Sequence, residues 1–576
     1  MSSFRESGIA EDKVQMFEQL SAERKHLQEI GHLPSWYITQ GWQLFKENYQ
    51  YQDEPALLGR HRTIAKTLAQ YMVGEEEKWE ELFFNELWNG ILSPATPALS
   101  NTGTNRGMNV SCSGQFVGDS VVSFYDGLKE MALLSKNGFG TSADFSSIRP
   151  RGAPISAGGE ASGPVPVMED YFTCASKISQ GGNRRGAVAG YLDIEHPDWD
   201  EAVDLLMRDP DGKNFGWTVR DSFIEALRNG DAEASRKFTR ALYVKLVTGK
   251  GYFFFIDKAN RQRPQMYKDL GLDIKATNLC TEIMLHSSED YTYSCILASM
   301  NLVNWEQIKN SDSVFIATVF LDCLCEDFIR NSEGVPGLEK VRDFTIKGRA
   351  IGLGAMGFHT YLQSKGIPYG SLEAQFLSNE MAKHISEESL RASKWLAEKF
   401  GEPEWCEGYG VRNTHRTAYA PTKSTALLMG GVSESWSPDA GMIFDMASAV
   451  GELRRIPPVF YEKMKEKGVY NEATIRDIIN HIGSVQHVDW LTEEEKQVFM
   501  NAYEVEQKVI LRHASQRQKH TCQGQSINFF VADEGSEDQI AELMTMAFTD
   551  ENILSQYYFY SKSGVVVPDE CLSCSA

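Results

Sequence analysis

Gly251-Tyr-Phe-Phe-Phe-Ile256 and, much later, Ser526-Ile-Asn-Phe-Phe-Val531 are short apolar runs set between stretches of helical periodicity. Each has the length and aromatic content of a buried strand and is too brief for a core helix. Between about residues 190 and 530 such runs alternate with helical patterns, and that alternation predicts an α/β architecture. Upstream, from about 91 to 160, the chain is rich in Gly, Ser, Thr and Asn, as in SPATPALSNTGTNRGMNVSCSG from Ser93 to Gly114. This reads as short buried strands joined by loops, where chemistry usually sits. The segment SQGGNRRGA, Ser179 to Ala187, is a basic, glycine-rich loop. Residues 1–90 read as a helical domain, with periodic stretches at Glu11 to Ile30 and Glu75 to Asn89 and an interruption at Pro34-Ser35. A last helix, Ser536 to Ala547, leads to Gln556-Tyr-Tyr-Phe-Tyr560. Residues 565–576 read as a mobile tail.

The chain has 576 residues, with 57 Lys and Arg against 79 Asp and Glu, a net charge of −22. That balance argues against bulk binding to nucleic acid or an anionic membrane surface. No apolar run approaches the length of a membrane span, since the best, Ser313 to Leu321, meets Asp322. Met1 to Lys13 has no apolar core, so no secretory signal is expected and the expected compartment is the cytoplasm. Ten cysteines are too sparse for a disulfide scaffold. In a reducing compartment they are core residues, ligands or catalysts.

Several motifs could carry chemistry. Cys571-Leu-Ser-Cys574 is a dithiol suited to thiol–disulfide exchange; otherwise it is an incidental exposed pair. In Asn278-Leu279-Cys280-Thr281-Glu282, an extended backbone would place Asn278, Cys280 and Glu282 on one face. That would set a nucleophile or hydrogen-abstracting centre beside a carboxylate and an amide; the alternative is a core cysteine between two polar residues. Cys112 and Cys295 are remote in sequence, and each could be a small buried hydrophobe. Tyr557-Tyr558 is either aromatic packing or a redox pair. Pro421-Thr422-Lys423-Ser424-Thr425, opening a helical segment, makes an anion cradle or an ordinary N-cap. No Walker, Rossmann, zincin or nucleophile-elbow signature is present, and no metal site is expected.

Taken in order, SPATPALSNTG, NVSCSGQFVGDS, SQGGNRRGA, NLCTEI, SCILASMNL, APTKST, QSINFF, YYFYSKSG and CLSC resemble the large, catalytic subunit of class I ribonucleotide reductase. The resemblance runs from about Pro34 to the C-terminus. It implies a ten-stranded α/β barrel of two five-stranded halves with a central finger loop, spanning 91–564 after the helical domain and before the redox tail. Cys280 at the loop tip would be the transient thiyl radical that takes the 3′ hydrogen of the ribose. Glu282 would accept the 3′-hydroxyl proton and Asn278 would hold a sugar hydroxyl. Cys112 and Cys295 would supply the reducing equivalents and end as a disulfide. Cys571 and Cys574 would re-reduce them, and a thioredoxin- or glutaredoxin-type protein would reduce the tail.

The same resemblance makes Tyr557 and Tyr558 a radical relay from a separate, metal-containing small subunit, with no cofactor bound by this chain. Thr96, Ser111, Gly138, Leu279 and the loop Pro421 to Thr425 would hold the substrate. Lys423 stands where some relatives are acidic. Asp119, Ser120, Arg149, Gln180 and Arg184 would bind an allosteric deoxynucleoside triphosphate or ATP at a homodimer edge, and Arg185 stands where Gly is more usual. No V-x-K-R-D-G signature of an N-terminal ATP-cone appears, so overall on/off control is expected to be missing or to reside in another chain. The implied activity is reduction of ribonucleotides, on class grounds diphosphates. Two other readings are an adenosylcobalamin-dependent (class II) reductase on the same barrel and a redox-regulated nucleotide-binding module without radical chemistry.

Overall fold

The computed structural model describes residues 11–156, 158–180, 184–448, 451–531 and 537–561. Its first part is helical: α1 (Glu11–Glu29), α2 (Thr39–Asn48), α3 (Ala56–Ala69) and α4 (Glu76–Trp88). Glu76 and Glu77 in the first turn of α4 complement the positive end of the helix dipole. Its apolar face buries Trp79, Phe83 and Leu87. Phe83 meets Phe320 edge to face at 5.4 Å, which docks this layer onto α5 (Ser313–Asn331). The apolar run weighed as a membrane segment is therefore a core helix. Its Asp322 is buried in ion pairs with Arg349 at 2.9 Å and Arg412 at 3.0 Å. Among the described residues no helix is long and apolar enough to cross a membrane.

The strands follow. β1 (Cys112–Phe116), β2 (Gly140–Asp144), β3 (Val188–Asp193), β4 (Asn214–Val219) and β5 (Tyr252–Phe255) pair in that order, each parallel to the next. β2 to β5 are buried throughout, as parallel strands covered on both faces must be. That burial explains why Tyr-Phe-Phe-Phe reads as an unbroken apolar run. A second set starts with β6 (Tyr293–Cys295) and β7 (Leu297–Asn301), and β7 runs parallel to β8 (Gly352–Met356). Parallel bridges Leu353↔Thr417 and Tyr419↔Gln525 extend it. β9 (Phe529–Val531) then pairs parallel with β11 (Phe559–Ser561), and β10 (Ser555–Gln556) lies just before β11.

The two five-membered halves meet antiparallel at both seams, β1 with β6 and β10 with β5. The ring is thus closed, which removes its edges, and it is the expected barrel. At the first seam Gly114 is obligatory, since a Cβ there would sit 2.0 Å from the Tyr293 ring. The chain between β5 and β6 carries the N-x-C-x-E motif.

Candidate active site

Asn278 to Ile283 is not an extended segment, contrary to the expectation from spacing. Leu279 and Cys280 form a turn, the Thr281 amide donates to the Asn278 carbonyl at 3.2 Å, and Thr281 has φ +70°. The turn brings the two polar ends of the motif together by folding the chain back. The Asn278 amide nitrogen donates to Glu282 Oε1 at 3.0 Å, and Asn278 Oδ1 accepts from the Ile283 amide at 3.1 Å. Cys280 is left at the tip.

The barrel wall holds the loop. Tyr191 Oη donates to the Asn278 carbonyl at 3.0 Å, and Ser555 Oγ to the Thr281 carbonyl at 2.9 Å. The Gly524 amide donates to the Glu282 carbonyl at 2.8 Å. Ser526 Oγ contacts both the Cys280 carbonyl and, at 3.1 Å, Glu282 Oε2. A hydroxyl has one proton, so it serves one of these at a time, and a protonated Glu282 completes the set with its own. Burial pushes the Glu282 carboxyl up to about 7, against the opposing hydrogen bonds from its own backbone, Asn278 and Ser526.

Tyr557 and Tyr558 sit beside this tip. Tyr557 Oη donates to Cys280 Sγ at 3.7 Å. The two tyrosine rings are 4.2 Å apart between centroids. Both rings are buried.

Cys112, first residue of β1, is buried and lies directly opposite Cys295 in the antiparallel register. Directly opposed residues in such a pair have Cα atoms roughly 4.5–5.5 Å apart, inside the span a disulfide can bridge. The side chain of Cys295 lies outside the described residues. Leu279 also reaches this point: a Cβ on Gly140 would come 2.9 Å from Leu279 Cδ1 and 3.7 Å from Cys112 Sγ.

One cavity gathers Thr96, Ser111, Cys112, Cys280, Glu282 and the loop Pro421 to Thr425. Residues spread over more than half the chain thus share one space. Thr422, at φ +60°, turns the backbone into the helix Lys423–Leu428. Ser111 Oγ is buried without a protein partner, a hydroxyl still able to bond a ligand. Burial pulls the Lys423 ammonium down to about 8, with Glu434 opposing the fall. Gly138 does not line the cavity; it makes a turn at φ +110° ahead of β2.

The remaining predicted residues fall elsewhere. Arg149 Nε donates to Asp119 Oδ2 at 2.7 Å and the Arg149 amide to Oδ1 at 3.1 Å. Ser120 caps the helix Val121–Lys136, accepting from the Ser123 amide at 3.1 Å. The backbones of Gln180 and Arg184 pair across a short hairpin, while their side chains lie outside the described residues, as do Cys571 and Cys574. Among the described residues one group could hold a metal ion, the exposed Asp477, His481 and His487; none of the three lines the cysteine cavity. Sequence reading assigned no role to Tyr191, Tyr252 or Ser526. QSINFF pointed to Ser526 only as part of a motif, Tyr252 stands in an apolar run that read as strand alone, and Tyr191 belongs to no motif singled out.

Comparison with known proteins finds similarity over most of the chain. The family model described as ribonucleotide reductase, barrel domain, matches residues 110–237, 228–409 and 403–558. That of the ribonucleotide reductase all-alpha domain matches 37–107. The putative ribonucleoside-diphosphate reductase large subunit of Frog virus 3 is 30% identical over 544 residues, covering 88% of this chain and 94% of that protein. A vitamin B12-dependent ribonucleoside-diphosphate reductase of Thermoplasma acidophilum is 32% identical over 503 residues, 81% of this chain and 63% of the relative. The solved class Id ribonucleotide reductase alpha subunit of Actinobacillus ureae superposes with a TM-score of 0.84 at 35% identity, covering 92% of this chain and 98% of that one.

Proposed function

The chain belongs to the ribonucleotide reductase family as a large subunit, and we propose that it reduces ribonucleoside diphosphates to 2′-deoxyribonucleotides by class I chemistry, for DNA precursor synthesis in the cytoplasm. The observation that carries the class assignment is the contact of Tyr557 Oη with Cys280 Sγ, backed by the adjacent Tyr558 ring. A buried thiol with a phenol on it and a second phenol behind is a path for a radical arriving from outside. A metal-containing small subunit supplies that radical. Tyr557 then takes the thiol hydrogen atom, leaving the Cys280 thiyl, which abstracts the 3′ hydrogen of the ribose.

Glu282, held by Asn278, accepts the 3′-hydroxyl proton. Cys112 and Cys295 together deliver two electrons and two protons, the 2′-hydroxyl leaves as water, and the pair closes as a disulfide. Glu282 gives the proton back to the 3′ oxygen, the 3′ hydrogen returns from Cys280, and the Cys280 thiyl is regenerated. Ser111, Thr96 and the loop Pro421 to Thr425, with its Lys423 charge, suit the diphosphate. Leu279 packs at the sugar, and Gly138 supports the wall from one step further out.

Asp119, Ser120 and Arg149, with Gln180 and Arg184 of the hairpin, form the effector site for deoxynucleoside triphosphates or ATP at a homodimer edge. Cys571 and Cys574 pass electrons from a thioredoxin- or glutaredoxin-type protein to the active-site pair. The cobalamin-dependent reading has support in the Thermoplasma relative. A reduction assay with each nucleoside diphosphate and triphosphate, run with and without candidate small subunits and with adenosylcobalamin alone, separates the two. Class I chemistry requires a small subunit, and turnover with adenosylcobalamin alone would refute it.

A further inference from the structure

Tyr252, the first residue of β5, is fully buried and touches both proposed relay tyrosines. Its ring centroid is 4.8 Å from that of Tyr557 and 5.3 Å from that of Tyr558. Its hydroxyl donates to the Tyr558 hydroxyl at 2.8 Å. The next three residues of the strand are all Phe. Tyr252 and Phe254 face the cluster that holds Cys280, Tyr557 and Tyr558, whereas Phe253 and Phe255 face the main core. Aromatic bulk alone is supplied by phenylalanine along this strand, and the one phenol is the residue whose oxygen lands on the Tyr558 oxygen. The seam reinforces the placement. The buried Lys245 ammonium donates to the Tyr557 carbonyl at 2.6 Å and to the Gly251 carbonyl at 3.0 Å, tying the Tyr557 backbone to the residue before Tyr252.

We propose that Tyr252 is a positioning residue of the radical relay: its O–H, donated to the Tyr558 oxygen, holds the Tyr558 phenol in place and directs the Tyr558 proton away from β5. The inference rests on the relay reading above. In that reading the small subunit's oxidant first removes one electron and one proton from Tyr558. Tyr558–O• and Tyr557–OH then become Tyr558–OH and Tyr557–O•. Tyr557–O• and Cys280–SH next become Tyr557–OH and Cys280–S•. One hydrogen atom moves in each exchange, and Tyr252 keeps its own proton throughout. A donor on the Tyr558 oxygen is present before and after the transfer, so this hydrogen bond need not be built during the step.

The test uses the full chain with a competent small subunit. Tyr252→Phe keeps the ring and removes only the O–H. Turnover should fall about tenfold, the effect of a hydrogen bond worth roughly 1.4 kcal/mol, with substrate KM and effector affinity unchanged. A spectroscopic arm separates positioning from packing. With 3-aminotyrosine replacing Tyr558, the trapped radical in deuterated buffer should show a coupling to the exchangeable deuteron on Tyr252. Tyr252→Phe should abolish that coupling, and 3,5-difluorotyrosine at 252, a stronger donor of nearly the same shape, should strengthen it. The fluorinated variant also serves if the Phe variant folds poorly. A radical whose coupling is the same in all three proteins, or full turnover in Tyr252→Phe, overturns the Tyr252 assignment and leaves the relay standing. Failure of the aminotyrosine protein to form any radical would instead refute the relay itself.

Discussion

Glu282→Gln tests the acid–base assignment most directly. The carboxyl is 1% exposed, and burial moves its midpoint from 4.5 to about 7. At roughly 1.4 kcal/mol per tenfold change in proton affinity, this is a preference of about 3 kcal/mol for the neutral form in the folded protein. A base with a midpoint near 7 is poised to take a hydroxyl proton at neutral pH. In wild type, kcat/KM should therefore rise with pH through about 7, and at pH 5 only about 1% of the carboxyl is ionised. Glu282→Gln should lower kcat about 10²- to 10⁴-fold, the usual contribution of a positioned base, and remove the acid limb. Substrate affinity should change little, because Asn278 and the phosphate loop remain. The sign of the stability effect is fixed as well. The folded state binds this proton more tightly than the unfolded chain, so this group's contribution to stability falls as pH rises from 4.5 through about 7. Melting of wild type relative to the Gln variant should therefore drop between pH 5 and pH 8. An acid limb near 4.5, or a Gln variant with most of its turnover, would refute the reasoning.

Cys280→Ser should bind nucleotides and melt normally yet show no reductase activity, because an O–H bond is too strong to yield the radical; any turnover above background in a pure preparation contradicts the role. Tyr557→Phe or Tyr558→Phe should each abolish turnover with the small subunit while calorimetric substrate and effector affinities stay near wild type; retained turnover would make both packing residues. Lys423→Met should raise the KM for diphosphates and remove an alkaline limb centred near pH 8, the midpoint for loss of the wild-type ammonium proton; an unchanged KM would place the charge away from the phosphates. Asp119→Ala should weaken effector binding about tenfold to a hundredfold, for a charge-assisted hydrogen bond of roughly 1.5–3 kcal/mol, with basal reduction retained; calorimetry giving wild-type affinity would exclude the site.

The family was legible because its motifs occur together in one order along the chain, and the family models match across most of the residues that hold them, though not the tail dithiol. Taken singly, a thiol between an amide and a carboxylate, a tyrosine pair and a hydroxyl-rich loop each also fit an ordinary structural role; only their succession along the chain resembles one family. The buried parallel strands were legible too, since Tyr-Phe-Phe-Phe is an unbroken aromatic run with no charged residue. What the motif reading got wrong was the path of the chain through Asn278 to Glu282. Periodicity describes an element that continues, and this segment reverses at Cys280 and Thr281. Its shape is imposed by bonds from Tyr191, Gly524, Ser526 and Ser555, which lie far away along the chain.

Only the closed barrel decides the rest. The register that sets Cys112 opposite Cys295, the elevated proton affinity of Glu282 and the phenol that Tyr252 presents to Tyr558 all depend on seams between remote strands. Local sequence specifies side-chain chemistry and strand length, because both act over a few residues. Which remote side chains touch, and how much water is removed from between them, is settled when the two half-barrels meet and bury the interior.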